Sequence, residues 1–264
     1  MSLVSLAIRW TLWRALYGKT YAGERVYDSA VAPIEDMVSE EPHPFLTIST
    51  EDESGEVSGH DYAEANRTLD INVEIALATE LRMSGRPNVP HTDEGLEMAI
   101  NLIGRQVMYV LQADPSPWAD LFRWFACSGK KLHTRRGADV EKGIRFAARQ
   151  VTITVEPIHE PEFGAAPSGV WARLIAEMRE DDILSVYADT LHDAIIGEAV
   201  PDWRRLIARL GLTNDGASAV GIGPLIPDEA PLTAGELSSD GDQLAFAVEP
   251  SAEADGLLAI VAVL

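Results

Sequence analysis

RTLDINVEIAL, residues 67–77, alternates without a break: Leu69, Ile71, Val73, Ile75 and Leu77 share one parity, and Asp70, Asn72, Glu74 and Ala76 share the other. Side chains of a strand point to opposite faces with period two, so this run predicts a strand with one apolar face and one wet face. Such a strand needs a covering layer on its apolar side. Upstream, PFLTIST at 44–50 carries the apolar run Phe45–Ile48 and reads as a second strand. Between the two lies EDESGEVSGHDYAEAN, residues 51–66, acidic and aperiodic, which predicts a solvated loop or hairpin tip.

The covering helices are sought further out. Leu3, Leu6, Trp10, Trp13 and Tyr17 recur at helical spacing before Gly18, giving an amphipathic helix with an aromatic face. Residues 25–29 read as a short extended piece, and Pro33 marks a turn. Downstream, Thr92 opens a helix whose stripe is Leu96, Ile100, Ile103, Val107 and Val110 and which ends near Asp114. Ser116 followed by Pro117 is a capping residue with a first-turn proline, opening a short helix with Trp118, Leu121, Phe122 and Phe125. GIRFAARQVTITVEPI at 143–158 returns to strand through Val151, Ile153 and Val155, while Ile144 and Phe146 have the opposite parity. A bulge at residues 148–150 would reconcile them. The expected order up to residue 158 is helix, two or three strands, two helices, strand. Its sheet is mainly antiparallel, and the strand of residues 69–77 lies near that of 151–155.

After Pro157, Pro161 and Pro167 the character changes. Ser168, Asp181 or Asp182, and Pro201 with Asp202 open three predicted helices, carrying Trp171 to Met178, Leu184 to Ile195 and Trp203 to Leu210. Gly197 and Gly211 end the last two. Beyond Arg209 there is no Lys or Arg, and Leu244–Val248 and Leu257–Val263 are the strand candidates in an otherwise loop-like stretch. The expected architecture is thus an α+β domain over residues 1–160 and a helical, acidic, loop-rich extension over 161–264.

Composition narrows the function classes. With 264 residues, 46% of them hydrophobic, the chain has material for a real core. A formal charge of −21 opposes nucleic-acid binding, because phosphates are held by Lys and Arg that displace counterions. Cys127 is the single cysteine, which excludes an intrachain disulfide and a four-cysteine metal site and suits a reducing compartment. Arg9 and Arg14 interrupt the apolar amino-terminal run, so neither a signal peptide nor a membrane span is expected.

Cys127 with His133 is the available thiol and imidazole pair, but Cys127 ends a helix, where no dipole lowers a thiol pKa, and reads as a small packed side chain. There is no G-x-S-x-G, H-E-x-x-H or P-loop, and the glycines around Gly221 lack a strand and helix context. Glu51, Asp52, Glu53 and Glu56 offer oxygen ligands without the spacing of a calcium loop, and the six histidines have no paired ligand spacing. No catalytic residue, metal or cofactor is expected. Arg123, Lys130, Lys131, Arg135, Arg136, Lys142, Arg145 and Arg149 form the one basic region. It reads as a solvated face, a nucleic-acid site, or a surface complementary to acidic parts of a neighbouring copy.

IRWTLWRALYGKTYAGERVYDSAVAPIEDMV at 8–38, PFLTISTEDES at 44–54 and GIRFAARQVTITVEPI at 143–158 resemble the tail terminator, or tail completion, proteins of tailed bacteriophages. The resemblance covers about residues 8–158 and leaves the part after Pro161 uncovered. It implies a compact subunit, commonly six to a ring, that caps the tail tube at the head-proximal end of the virion and stops polymerisation. Its implied partners are further copies of itself, the tail tube protein and the head connector, with DNA passing through unbound and assembly in the host cytoplasm. The matching positions are Asp28, Pro33, Glu51, Asp52, Glu53, Arg145 and Arg149, and none would be catalytic. Arg145 or Arg149, turned out by the expected bulge, would grip Glu51, Asp52 or Glu53 of an adjacent subunit. A neck or minor tail protein, and a hydrolase using carboxylates, are the alternatives.

Overall fold

Five strands, β1 (Val26–Asp28), β2 (Phe45–Ser58), β3 (Asp61–Leu77), β4 (Ser128–Asp139) and β5 (Phe146–Glu156), form one sheet in the order β1-β2-β3-β5-β4. The computed structural model describes residues 2–29, 43–58, 61–77, 92–139, 146–162, 164–197 and 201–223. All pairings are antiparallel except β1 with β2. The fold class is α+β, with seven helices among the described residues. They are α1 (Leu3–Leu16), α2 (Asp93–Ala113), α3 (Pro117–Phe125), α4 (Gly169–Glu180), α5 (Ser185–Ile196), α6 (Asp202–Arg209) and α7 (Asn214–Ala219).

The alternating run sits at the centre, as its parity requires. Leu69, Ile71, Val73, Ile75 and Leu77 are all buried, and β3 pairs with β5 in unbroken register from Leu69 opposite Val155 to Leu77 opposite Ala147. No bulge therefore interrupts β5 at residues 148–150, contrary to expectation. The parity change was inferred from Ile144 and Phe146, but the strand begins only at Phe146, and Ile144 lies outside the described residues. The bulges fall on the partners instead. In β2 the register shifts between Thr50 and Glu53, so Glu51 and Asp52 together face Asp70; in β4 it shifts between Gly129 and Lys131, making Lys130 the extra residue. Strands β2 and β3 also continue through most of the acidic segment read as loop, closing as a hairpin with Ser58 opposite Asp61.

Helix α1 covers the sheet with a different face from the one its aromatic spacing marks. Its fully buried residues are Val4, Ala7, Ile8, Thr11, Leu12, Ala15 and Leu16. Small residues at 7, 11 and 15 are buried in a helix that packs on α3, and the Thr11 hydroxyl is satisfied by donating to the Ala7 carbonyl at 2.7 Å. The aromatic residues flank this seam. Trp13 donates its indole N–H to the Val26 carbonyl at 2.7 Å, and Trp10 stacks on Tyr187 of α5 at 5.6 Å. The Glu160 carboxylate accepts the Leu3 N–H at 3.1 Å and meets Arg67 at 3.0 Å, tying the first turn of α1 to β3. Arg67 needs room, and Gly55 supplies it: a Cβ there would lie 2.8 Å from the Arg67 Cγ.

The caps predicted for α2 and α3 are present, whereas Ser168 sits at the N-cap of α4 without a side-chain bond and Leu184, not Asp181 or Asp182, is the N-cap of α5. Thr92 accepts the Gly95 N–H at 3.1 Å and Ser116 the Ala119 N–H at 3.4 Å. Helix α2 lies over β3 and β5, and Trp171, Leu174, Ile175 and Met178 of α4 join the same buried cluster as the sheet. The chain divides into two compact units, Met1–Gly223 and Pro224–Leu264. The break expected after residue 160 falls inside the first, because α4 packs on α3 rather than standing apart. Leu244–Val248 and Leu257–Val263 lie outside the described residues.

Candidate assembly surface

β4 is one of two elements that sequence reading missed, the other being α7, which Thr213 caps inside the stretch read as loop. SGKKLHTRRGAD has one large apolar residue, Leu132, and as a sheet edge it is wet on both sides, so no hydrophobic alternation marks it. Its conformation is imposed by the ladder to β5. That ladder puts Lys131 opposite Thr154, His133 opposite Thr152 and Arg135 opposite Gln150, all on the sheet face away from α2. The signal was present as a polar alternation, K-x-H-x-R, within a stretch read only as basic.

On that face the charge is sorted by strand. Glu51 and Asp52 of the β2 bulge and Asp70 and Glu74 of β3 form the acidic side. Gln150, Thr152 and Thr154 of β5 are neutral, and Lys131, His133 and Arg135 of β4 are the basic side. Threonine hydroxyls hold the middle together: Thr154 donates to Asp70 at 2.6 Å and Thr152 to Asn72 at 2.5 Å. Most of these side chains line a polar trough of 260 Å³. Two inter-strand steps, about 10 Å, separate the β3 acids from β4 and three, about 14 Å, separate the β2 acids from it, distances at which unit charges in water attract by only about 0.3–0.4 kcal/mol. Glu51, Asp52, Lys131 and Arg135 form no ion pair among the described residues, so both signs are exposed on this face.

Burial, and secondarily the Glu51 carboxylate, raises the Glu74 pKa above the ordinary carboxylate value. The folded chain therefore holds a proton there more tightly than the unfolded chain does. The stability this contributes is fully present below the unfolded pKa and is lost as pH rises through the folded one. Glu74→Gln should accordingly raise the urea midpoint at pH 7, and the gain should shrink as pH falls through the carboxylate range. An equal gain at both ends of a pH series of denaturation curves would contradict this.

The other residues singled out from sequence do not converge on this face. Asp28 pairs with Arg9 at 2.5 Å on β1, and Glu53 pairs with Arg67 at 2.8 Å on the helix-covered side. Arg149 also points to the helix side, where Glu97 and Asn101 of α2 hold its guanidinium, so it is engaged within the chain. Pro33 and Arg145 lie outside the described residues. Cys127, expected to be packed, is exposed because it sits in the junction between α3 and β4. Among the described residues no group of three or more His, Cys, Asp and Glu could hold a metal ion, and no helix is long and apolar enough to cross a membrane.

A second concavity lies behind the basic edge. Met108 and Leu111 of α2, Phe122 of α3, Leu132 of β4, and Ile153 and Val155 of β5 line an apolar groove of 580 Å³. Arg123, Lys130 and Lys131 stand at its rim. No family model matches the chain, and no curated protein matches it.

Proposed function

We propose that this chain is a structural subunit of a tailed-bacteriophage particle that closes as a ring, of six copies, on the head-proximal end of the tail tube. There it would stop tail polymerisation and offer the joining surface for the head connector. The resemblance of residues 8–158 to tail terminators motivates the reading. The observation that supports it best is the sorting of charge across the sheet, with unpaired carboxylates at the β2 bulge and unpaired cations on β4. A head-to-tail ring contact needs two complementary patches on opposite sides of one subunit, and this face supplies both signs. The overall charge of −21 suits a ring through which DNA passes without adhering.

Mass photometry of the purified chain, alone and mixed with uncapped tail tubes, tests the reading. A ring-sized species is expected, together with tubes of fixed length in electron micrographs. Because exposed charge pairs close the contact, the ring should dissociate as salt shortens the Debye length from about 10 Å at 0.1 M to about 3 Å at 1 M. A chain that stays monomeric with and without tubes would end the proposal.

A further inference from the structure

Helix α2 has an inner and an outer side. Leu96, Ile100, Ile103, Val107 and Val110 are buried in the core, whereas Met98 and Tyr109 are each 54% exposed. At about 100° per residue, Glu94, Met98, Asn101, Arg105 and Tyr109 fall within about 80° of one another, and all five are exposed. Half-buried Leu102 flanks them, so Met98, Leu102 and Tyr109 repeat at i, i+4 and i+11. Apolar side chains recurring along one outer stripe are the pattern of a helix that meets another helix. The stripe is also held in place, because Arg149 of β5 grips Glu97 and Asn101 and fixes the rotation of α2 on the sheet.

The charges on the stripe say which helix would fit. Glu94 and Arg105 form no ion pair among the described residues. They are three turns apart on one line, about 16 Å. A parallel copy of α2 would set like charge on like. An antiparallel copy, turned about a two-fold axis between residues 98 and 101, sets each Glu94 opposite the Arg105 of the other chain and brings the two Met98 side chains together at the axis. Such a contact is self-complementary, as a two-fold interface requires.

We propose that the outer stripe of α2 is a docking surface for the same stripe of a second copy, antiparallel, closed by two Glu94–Arg105 ion pairs around Met98. The contact is independent of the ring reading: α2 covers one side of the sheet, and the charge-sorted face is the other. In a chain that also closes as a ring, it would join copies from two rings. One helix pair is smaller than a standard interface of roughly 1,200–2,000 Å², so pairing at micromolar concentrations is expected.

Sedimentation equilibrium of the full chain at tens of micromolar tests it, with Arg105→Glu and Glu94→Arg made separately. The unchanged chain should pair, and each variant should weaken pairing on the order of tenfold, as two attractive contacts become repulsive. An equimolar mixture of the two variants should restore pairing, since every charge then meets its opposite. Met98→Cys in a Cys127→Ser background gives a reading that does not depend on charge. On oxidation with diamide its disulfide dimer should form on the order of tenfold faster than that of Leu210→Cys in the same background, because docking raises the effective concentration of the thiols. Leu210 is also 54% exposed, so access is matched. A chain that does not pair and shows no excess disulfide at Met98→Cys overturns the contact. Single variants that pair as well as the unchanged chain, or a mixture that pairs no better than its components, overturn the antiparallel register. Pairing doubles whatever unit is present, so the two proposals separate: a doubled single chain supports the α2 contact and removes the ring, and an undoubled ring does the reverse.

Discussion

Phe125→Ala should lower the unfolding free energy by about 3–5 kcal/mol, as expected for a large aromatic side chain removed from a packed core. Phe125 is fully buried at the end of α3, and its ring meets Trp171 of α4 edge-on at 4.9 Å. Its carbonyl accepts the Ile158 N–H at 3.0 Å, so the segment leaving β5 is fastened at the same point. The cavity would therefore open between the sheet-covering helices and those that follow β5. Phe125→Leu, which keeps most of the volume, should cost about 1.5 kcal/mol or less. Urea denaturation followed by far-ultraviolet circular dichroism checks both. Because α4 shares the buried cluster with the sheet, both variants should shift one common transition of the described helices and strands. An early, separate loss of helix in Phe125→Ala would mean that α4 and α5 fold apart from the sheet.

What the sequence discloses follows from how each element is buried. β3 and β5 were legible because the helices cover only one of their faces, which imprints period two on Leu69–Leu77 and Val151–Val155. α2 and α3 were legible for the same reason at period 3.6, and their caps were written in Thr92 and Ser116. α1 misled because it is enclosed on more than one side: its deepest face is built from small and aliphatic residues, while Trp10, Trp13 and Tyr17 pack along the flanks. Spacing alone favours the largest side chains, and here they mark the sides of the contact.

The charge-sorted face was half legible. Glu51 and Asp52 stood out as acids, but their shared position opposite Asp70 is fixed by the pairing of β2 with β3, which no local pattern encodes. Lys131, His133 and Arg135 were seen as part of a basic stretch, yet their common face depends on β4 being a strand, and only the ladder to β5 makes it one. Arg149 shows the converse. A register assumed to break at residue 148 turns its guanidinium outward, whereas the unbroken register keeps it on the helix side within reach of Glu97 and Asn101. Two charged residues of similar appearance in the sequence thus differ in structure: Arg149 fastens α2 to the sheet, and Arg135 stands exposed with no ion pair among the described residues.

Asp181→Ala should cost about 3 kcal/mol, the second large effect, although it removes a single short side chain. Asp181 lies between α4 and α5 with its carboxylate nearly buried, and one oxygen accepts the N–H groups of Ile183 and Leu184 at 2.9 Å each, shaping the turn into α5. The other oxygen takes Arg14 of α1, at 2.8 Å from Nε and 2.5 Å from Nη2. Arg14 is itself largely buried over the Tyr17 ring, and its Nη1 has no partner, so the pair is incompletely satisfied even when intact. Its net worth is modest for that reason, but removing only the acid strands a buried guanidinium, and that is the costly state. Arg14→Met removes the cation and keeps an apolar stem against Trp13 and Tyr17, so the double variant Arg14→Met, Asp181→Ala should be less destabilised than the sum of the single changes. A double-mutant cycle from urea denaturation measures the difference, and strict additivity would show that Arg14 finds solvent once Asp181 is gone. Asp181→Asn sharpens the assignment: it keeps an acceptor for the two backbone N–H groups and loses the charge. A cost for Asn close to that of Ala would place the effect in the ion pair, whereas a much smaller one would place it in the turn.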